Sequence, residues 1–146
     1  MTREKIEREF PGLIQALVDH PGIGVVVVRS NEGLVAIGDV GTNYLDEGRI
    51  TGTDPLAIYG PHAAEGLCEV AGFENSGDLI VIGPYDPATQ EVVSFEELVG
   101  SHGGLGGPQN EAFIAYPSSW RLGSEPLVGA PAVNAQLRRW LSAPEQ

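Results

Sequence analysis

The stretch "VGSHGGLGGPQNEAFIAYP", residues 99–117, holds one histidine, His102, among five glycines between Gly100 and Gly107. An imidazole ligates metals and shuttles protons. Glycine lets a backbone come close to a ligand because no Cβ intervenes. The pattern Gly100-Ser101-His102-Gly103-Gly104 therefore suits a histidine that a metal or a phosphate must approach, and it equally suits a long surface loop. The other histidines have plainer readings: His20 precedes Pro21 in a turn, and His62 opens a predicted helix as a surface residue. None of the three has a second histidine or a cysteine at metal-ligand spacing. Asp54, Asp78 and Asp86 stand at turns or strand starts, where a carboxylate commonly stabilises the backbone. Cys68 lies in "AEGLCEVAGF" and reads as a small buried apolar residue. The nucleophile elbow, the P-loop lysine motif and the dinucleotide fingerprint are all missing. "HGGLGG" follows a predicted helix rather than a strand, so it is a poor phosphate cradle.

The elements that must position these residues follow from patterning. Residues 2–18 place Ile6, Phe10, Leu13, Ile14 and Leu17 at helical spacing. Thr2 caps the start, and Pro11 divides the stretch into two short helices. "GVVVVRSNEGLVAIG" predicts a β-hairpin, with Gly33 supplying a positive φ at the turn. Its first strand is apolar on both faces and so needs cover on both. "TNYL" and "RITG", joined by "DEG" at 46–48, suggest a second short hairpin or an extended excursion. A helix is predicted from Pro61 to about Val70, and a strand over "GDLIVIG" at 77–83. "SFEEL" pairs Ser94 with Glu97 in a capping box. A third buried-type strand is expected over "AFIAY", stopped by Pro117. A helix from Pro131 would place Leu137, Trp140 and Leu141 on its apolar side. The alternation of helices and strands favours an α/β or α+β fold, a mixed β-sheet flanked by helices.

The 146 residues suit a single domain spanning 1–146. A net charge of −12, with 20 acidic against 8 basic residues, excludes nucleic acid as a partner, since phosphate recognition needs a basic stripe. One cysteine allows no intrachain disulfide. The N-terminus is charged and helical rather than a signal peptide. The longest apolar run, "VVVV", is far too short to span a membrane. A cytoplasmic location is the default expectation.

"GDLIVIGPYDPATQEVVSFEELVGSHGGLGGPQNEAFIAYP" resembles the C-terminal part of the alkaline phosphatase superfamily, in its type I phosphodiesterase and nucleotide pyrophosphatase branch. That branch has a strand similar to "GDLIVIG", a G-x-H-G loop and a strand similar to "AFIAYP". "HPGIGVVVVRS" and "DPLAIYGP" extend the resemblance over roughly residues 5–120. The resemblance implies an alkaline phosphatase-like fold and a divalent metal pair, commonly zinc, that stabilises phosphoryl oxygens beside a serine or threonine nucleophile. His102 matches the last metal ligand of that set. The family's nucleophile, its first aspartate and its Asp-His-Gly motif belong to upstream segments this chain lacks. The chain is therefore expected to be a C-terminal piece or half-enzyme, inactive alone, taking zinc only with ligands supplied in trans. Its implied partners are an upstream half-enzyme polypeptide or further copies of itself. A non-catalytic scaffold that kept the fold is the alternative.

Overall fold

The computed structural model describes residues 1–96 and 104–142, with Gln109 described by its backbone alone. The chain divides into two compact units, residues 1–112 and 113–146.

The first unit is an antiparallel five-stranded sheet with helices on both faces. β1 (Val25–Ser30) and β2 (Gly33–Gly38) form the expected hairpin, with Val27 opposite Ala36 and Ser30 opposite Gly33. Asn31 and Glu32 keep negative φ, and Gly33 takes the positive value, +97°. The turn is closed by side chains. Ser30 Oγ accepts from the Glu32 N–H at 3.1 Å and donates to the Gly33 carbonyl at 3.0 Å. β3 (Gly41–Tyr44) and β4 (Arg49–Gly52) form a second hairpin around Gly48, the first of the two arrangements left open by the sequence. β5 (Leu79–Ile82) lies on the other side of β1, giving the order β4-β3-β2-β1-β5. Every pairing in this sheet is antiparallel, so the fold is α+β.

Successive side chains of a strand point to opposite faces, and β1 uses both. Val26 and Val28 pack with Val35, Ile6, Ile14 and Val18 on one face. That cover comes from α1 (Arg3–Glu9) and α2 (Leu13–Val18), separated at Pro11 as expected. Thr2 Oγ1 accepts from the Lys5 N–H, which caps α1. Val25 and Val27 face the other way, onto Leu34, Leu56, Tyr59 and Leu67. There the cover is a 3₁₀ turn (Ala57–Tyr59) and α3 (Ala63–Ala71). All four valines are 0–1 % exposed. The two-faced burial that "VVVV" requires is thus met within one unit.

After β5 the chain makes a two-stranded ribbon, β6 (Tyr85–Asp86) with β7 (Glu91–Val92). Ser94 Oγ donates to the Glu96 carbonyl, and residues 95–96 form a bend. Glu97, the other half of the expected capping box, lies outside the described residues.

The second unit differs from expectation in two respects. "AFIAY" is irregular rather than a strand, and Phe113 is 91 % exposed. Strand preference is realised only against a partner's hydrogen-bonding edge, and no strand of the described residues pairs with this segment. Tyr116 instead stacks against Trp140, ring centroids 4.9 Å apart. α4 (Gly129–Ser142) begins two residues before Pro131. Trp140 is buried as expected, and its Nε1 donates to the Arg121 carbonyl at 2.8 Å. Leu137 and Leu141 are exposed, while Gln136 is buried and donates to that same carbonyl. One helix against an irregular strap covers a narrow stripe, and the 136/140 stripe is the one covered.

Candidate functional site

Of the glycine-rich stretch, Gly100, Ser101, His102 and Gly103 lie outside the described residues, and Gly104, half-buried, is the first described residue after them. What the structure describes is how the chain enters and leaves this segment.

The exit is packed. Leu105 lies against the core of β1, β2 and α3, and Gly106 is buried. A Cβ on Gly106 would sit 2.9 Å from Tyr85 Cγ and 3.3 Å from Tyr59 Cδ1; one on Gly107 would sit 3.1 Å from Tyr85 Cε2. The first of these distances is sterically forbidden and the others are tight, so the backbone runs directly over the tyrosine rings because it carries no side chains there. The two rings lie 6.4 Å apart at 39°. Tyr59 is 2 % exposed, and its hydroxyl donates to the Gly83 carbonyl at 3.0 Å. Burial pushes the Tyr59 phenol pKa up, which keeps it a neutral donor.

The entrance is fastened nearby. The Val93 N–H donates to the Pro84 carbonyl at 3.0 Å. A Cβ on Gly83 would fall 2.1 Å from the Val93 carbonyl oxygen, so these two backbones touch. On either side of the undescribed residues, Val93 is thus held against Gly83 and Pro84, and Gly106 and Gly107 against Tyr59 and Tyr85.

This geometry gives Gly106 and Gly107 a packing role against tyrosine. Neither tyrosine was singled out by sequence reasoning. A signal was present: Tyr59 and Tyr85 each sit beside a Gly-Pro pair, in "YGP" and "GPY", where the chain must turn close to a ring.

The remaining candidates are structural. The exposed His20 accepts the Gly22 N–H through Nδ1 at 3.1 Å. His62 is exposed before α3 and lies 3.4 Å from Glu65. Asp54 Oδ1 accepts from Asn43 Nδ2 and from the Leu56 N–H, both at 3.0 Å. Asp78 pairs with the Met1 amino group. Asp86 Oδ1 accepts the Ala88 N–H at 2.8 Å, and this bond holds its carboxyl below the usual carboxylate range. Cys68 is half-buried beside the core, and burial, followed by the Asp46 charge, pushes its thiol up, away from a reactive thiolate.

Among the described residues no group of three or more histidines, cysteines or carboxylates is arranged to hold a metal ion. No helix of the described residues is long and apolar enough to cross a membrane. Comparison with protein families, with curated proteins and with solved structures finds no match to this chain.

Proposed function

We propose that this chain is the C-terminal portion of a metal-dependent phosphodiesterase- or phosphatase-like protein, inactive alone, with His102 as one metal ligand. The observation that supports this reading best is the fastening of the chain on both sides of the His102-bearing segment. A ligand loop needs a rigid base, and the flanking residues Val93 and Gly106–Gly107 lie against Gly83–Pro84 and the Tyr59–Tyr85 pair. In such enzymes a divalent ion supplies charge stabilisation at phosphoryl oxygens. A catalytic zinc takes three protein ligands, so the remaining ligands and the nucleophile belong to an upstream polypeptide.

The purified chain, assayed on a nitrophenyl phosphodiester with zinc or manganese, is expected to show no turnover. Adding an upstream half that carries an Asp-His-Gly motif is expected to restore it. Robust turnover by the chain alone, abolished in His102→Ala, would overturn the half-enzyme reading. Self-association is the second partner reading. Among the described residues β5 is an edge strand of four uncharged apolar residues, whereas the opposite edge, β4, carries Arg49. Uncharged apolar edges invite pairing. Light scattering that shows a monomer at high concentration would remove this second reading.

A specific observation favours the non-catalytic alternative. Both faces of β1 and β2 are covered within residues 1–112, and Gly106 and Gly107 already have a packing reason. A scaffold of this kind would show neither turnover nor zinc uptake even with the upstream half present.

A further inference from the structure

Each of the two units carries one strand-forming run that lacks a neighbour. In the first unit it is β5 (Leu79–Ile82), which has β1 on one side and, among the described residues, no strand on the other. Three of its four residues are only half-buried, whereas the four valines of β1 opposite them are buried. A free edge of this kind offers a row of N–H and C=O groups to a further strand. In the second unit the run is residues 113–116, Phe-Ile-Ala-Tyr. All four are exposed, and their N–H groups and carbonyls make no backbone hydrogen bond among the described residues. The far edge of the sheet is a poorer acceptor. There, on β4, Arg49 lies over the Tyr44 ring and bridges to Glu32 and Glu47, and charged side chains guard an edge against pairing.

We propose that residues 113–116 of one copy of this chain add as a strand to the β5 edge of a second copy, each copy donating once and accepting once in a closed dimer. The proposal rests on the self-association reading given above and names the two surfaces that meet. The runs match in length and chemistry. Each has four residues, apolar or aromatic, with no charged side chain. The contact therefore sets no like charges opposite one another, although each copy carries −12. In strand addition the main-chain bonds supply affinity and the side chains supply selectivity. Pro117 has no N–H and ends the added strand after Tyr116. Tyr116 also stacks on Trp140 at 4.9 Å, which keeps the donated strand joined to its own unit. Because every copy holds one edge and one run, mutual exchange satisfies both and closes with two-fold symmetry.

The test uses the full chain and two readouts. Sedimentation equilibrium gives the dissociation constant of the dimer. Isotope-filtered NMR on a mixture of 15N-labelled and 13C-labelled chains gives contacts that run only between copies. The expected result is a dimer in which cross-peaks join the amides of Leu79–Ile82 in one copy to residues 113–116 of the other. Successive N–H groups of a strand point to opposite edges, so either Ile114 or Ala115 must donate to β5. Of Ile114→Pro and Ala115→Pro, at least one should therefore raise the dissociation constant about tenfold or more. Unchanged β1 amide shifts in these variants would show that the sheet still folds. Both variants dimerising like the parent would overturn the inference. A monomer at high concentration would remove both this pairing and the self-association reading beneath it. A dimer whose cross-peaks join β5 to β5, or involve neither run, would leave self-association standing and sink the pairing. Cross-peaks confined to a single copy would sink it too. The labelled mixture needs no substitution, so it decides the matter even where a proline variant fails to fold.

Discussion

At the residue scale, hydrogen bonds to backbone carry most of the specific placement. The Tyr59 hydroxyl is buried and has the Gly83 carbonyl as its acceptor. Removing the hydroxyl leaves that carbonyl without this donor, so Tyr59→Phe should cost about 1–2 kcal/mol in chemical denaturation. Tyr59→Ala, which also empties the ring's place in the core, should cost about 3–5 kcal/mol. Asp86 makes a pH prediction. Its carboxyl is held below the usual range by the Ala88 N–H, with Thr89 contributing further bonds. A depressed folded-state value means the bond is in full force above the unfolded carboxylate pKa and is lost as pH falls through the folded value. The Asp86 carboxyl carbon, followed by NMR, should titrate below an ordinary aspartate, and Asp86→Asn should remove the acid-dependent change in the 86–90 turn.

At the element scale, the β1–β2 turn is the sharpest test. Gly33 sits at φ +97°, and a Cβ there would lie 2.3 Å from Asp46 Oδ2. That same oxygen accepts the Leu34 N–H at 3.0 Å. Gly33→Ala thus imposes a disfavoured backbone conformation and displaces a side chain that supports the strand. A loss of about 1–3 kcal/mol is expected from thermal or denaturant unfolding. This turn was legible in the sequence because glycine between two β-rich runs has a local cause. Both hairpins, the break at Pro11 and the helix after Pro61 were legible for similar reasons. "AFIAY" was not, because its apolar, β-prone composition says nothing about whether an edge is available to pair with it. The exposure of Leu137 and Leu141 was hidden for a related reason. Helical spacing names a stripe, and neighbours far away in sequence decide which stripe is covered. The two tyrosines at the candidate site were not legible. The glycines drew attention to residues 100–107, but those nearest the fold are explained by tyrosine rings that no spacing rule connects to them.

At the scale of the whole molecule, charge and cover are unevenly shared. Of the twenty acidic residues only Glu125 and Glu145 lie beyond residue 112, where Arg121, Arg138 and Arg139 also lie. Residues 1–112 therefore carry nearly all of the acidic self-repulsion, and their melting temperature should rise with added salt, which screens it. A chain cut after Ala112 keeps both core clusters. It is expected to give a dispersed amide spectrum and a cooperative melt; a collapsed spectrum would show that residues 113–146 are needed for folding. The four valines of β1 have a further consequence. A one-residue slip of Val25–Val28 would exchange the two faces while presenting each with the same side chain, so within this run the strand is a message written in one repeated letter. Its alignment must be encoded at the margins, by the Gly33 turn and by Arg29, whose guanidinium donates to the Ala71 carbonyl at 2.6 Å. Substitutions at those margins should then produce misaligned but still well-buried sheets, detectable as a second set of native-like resonances, where substitutions among the valines would only weaken a single one.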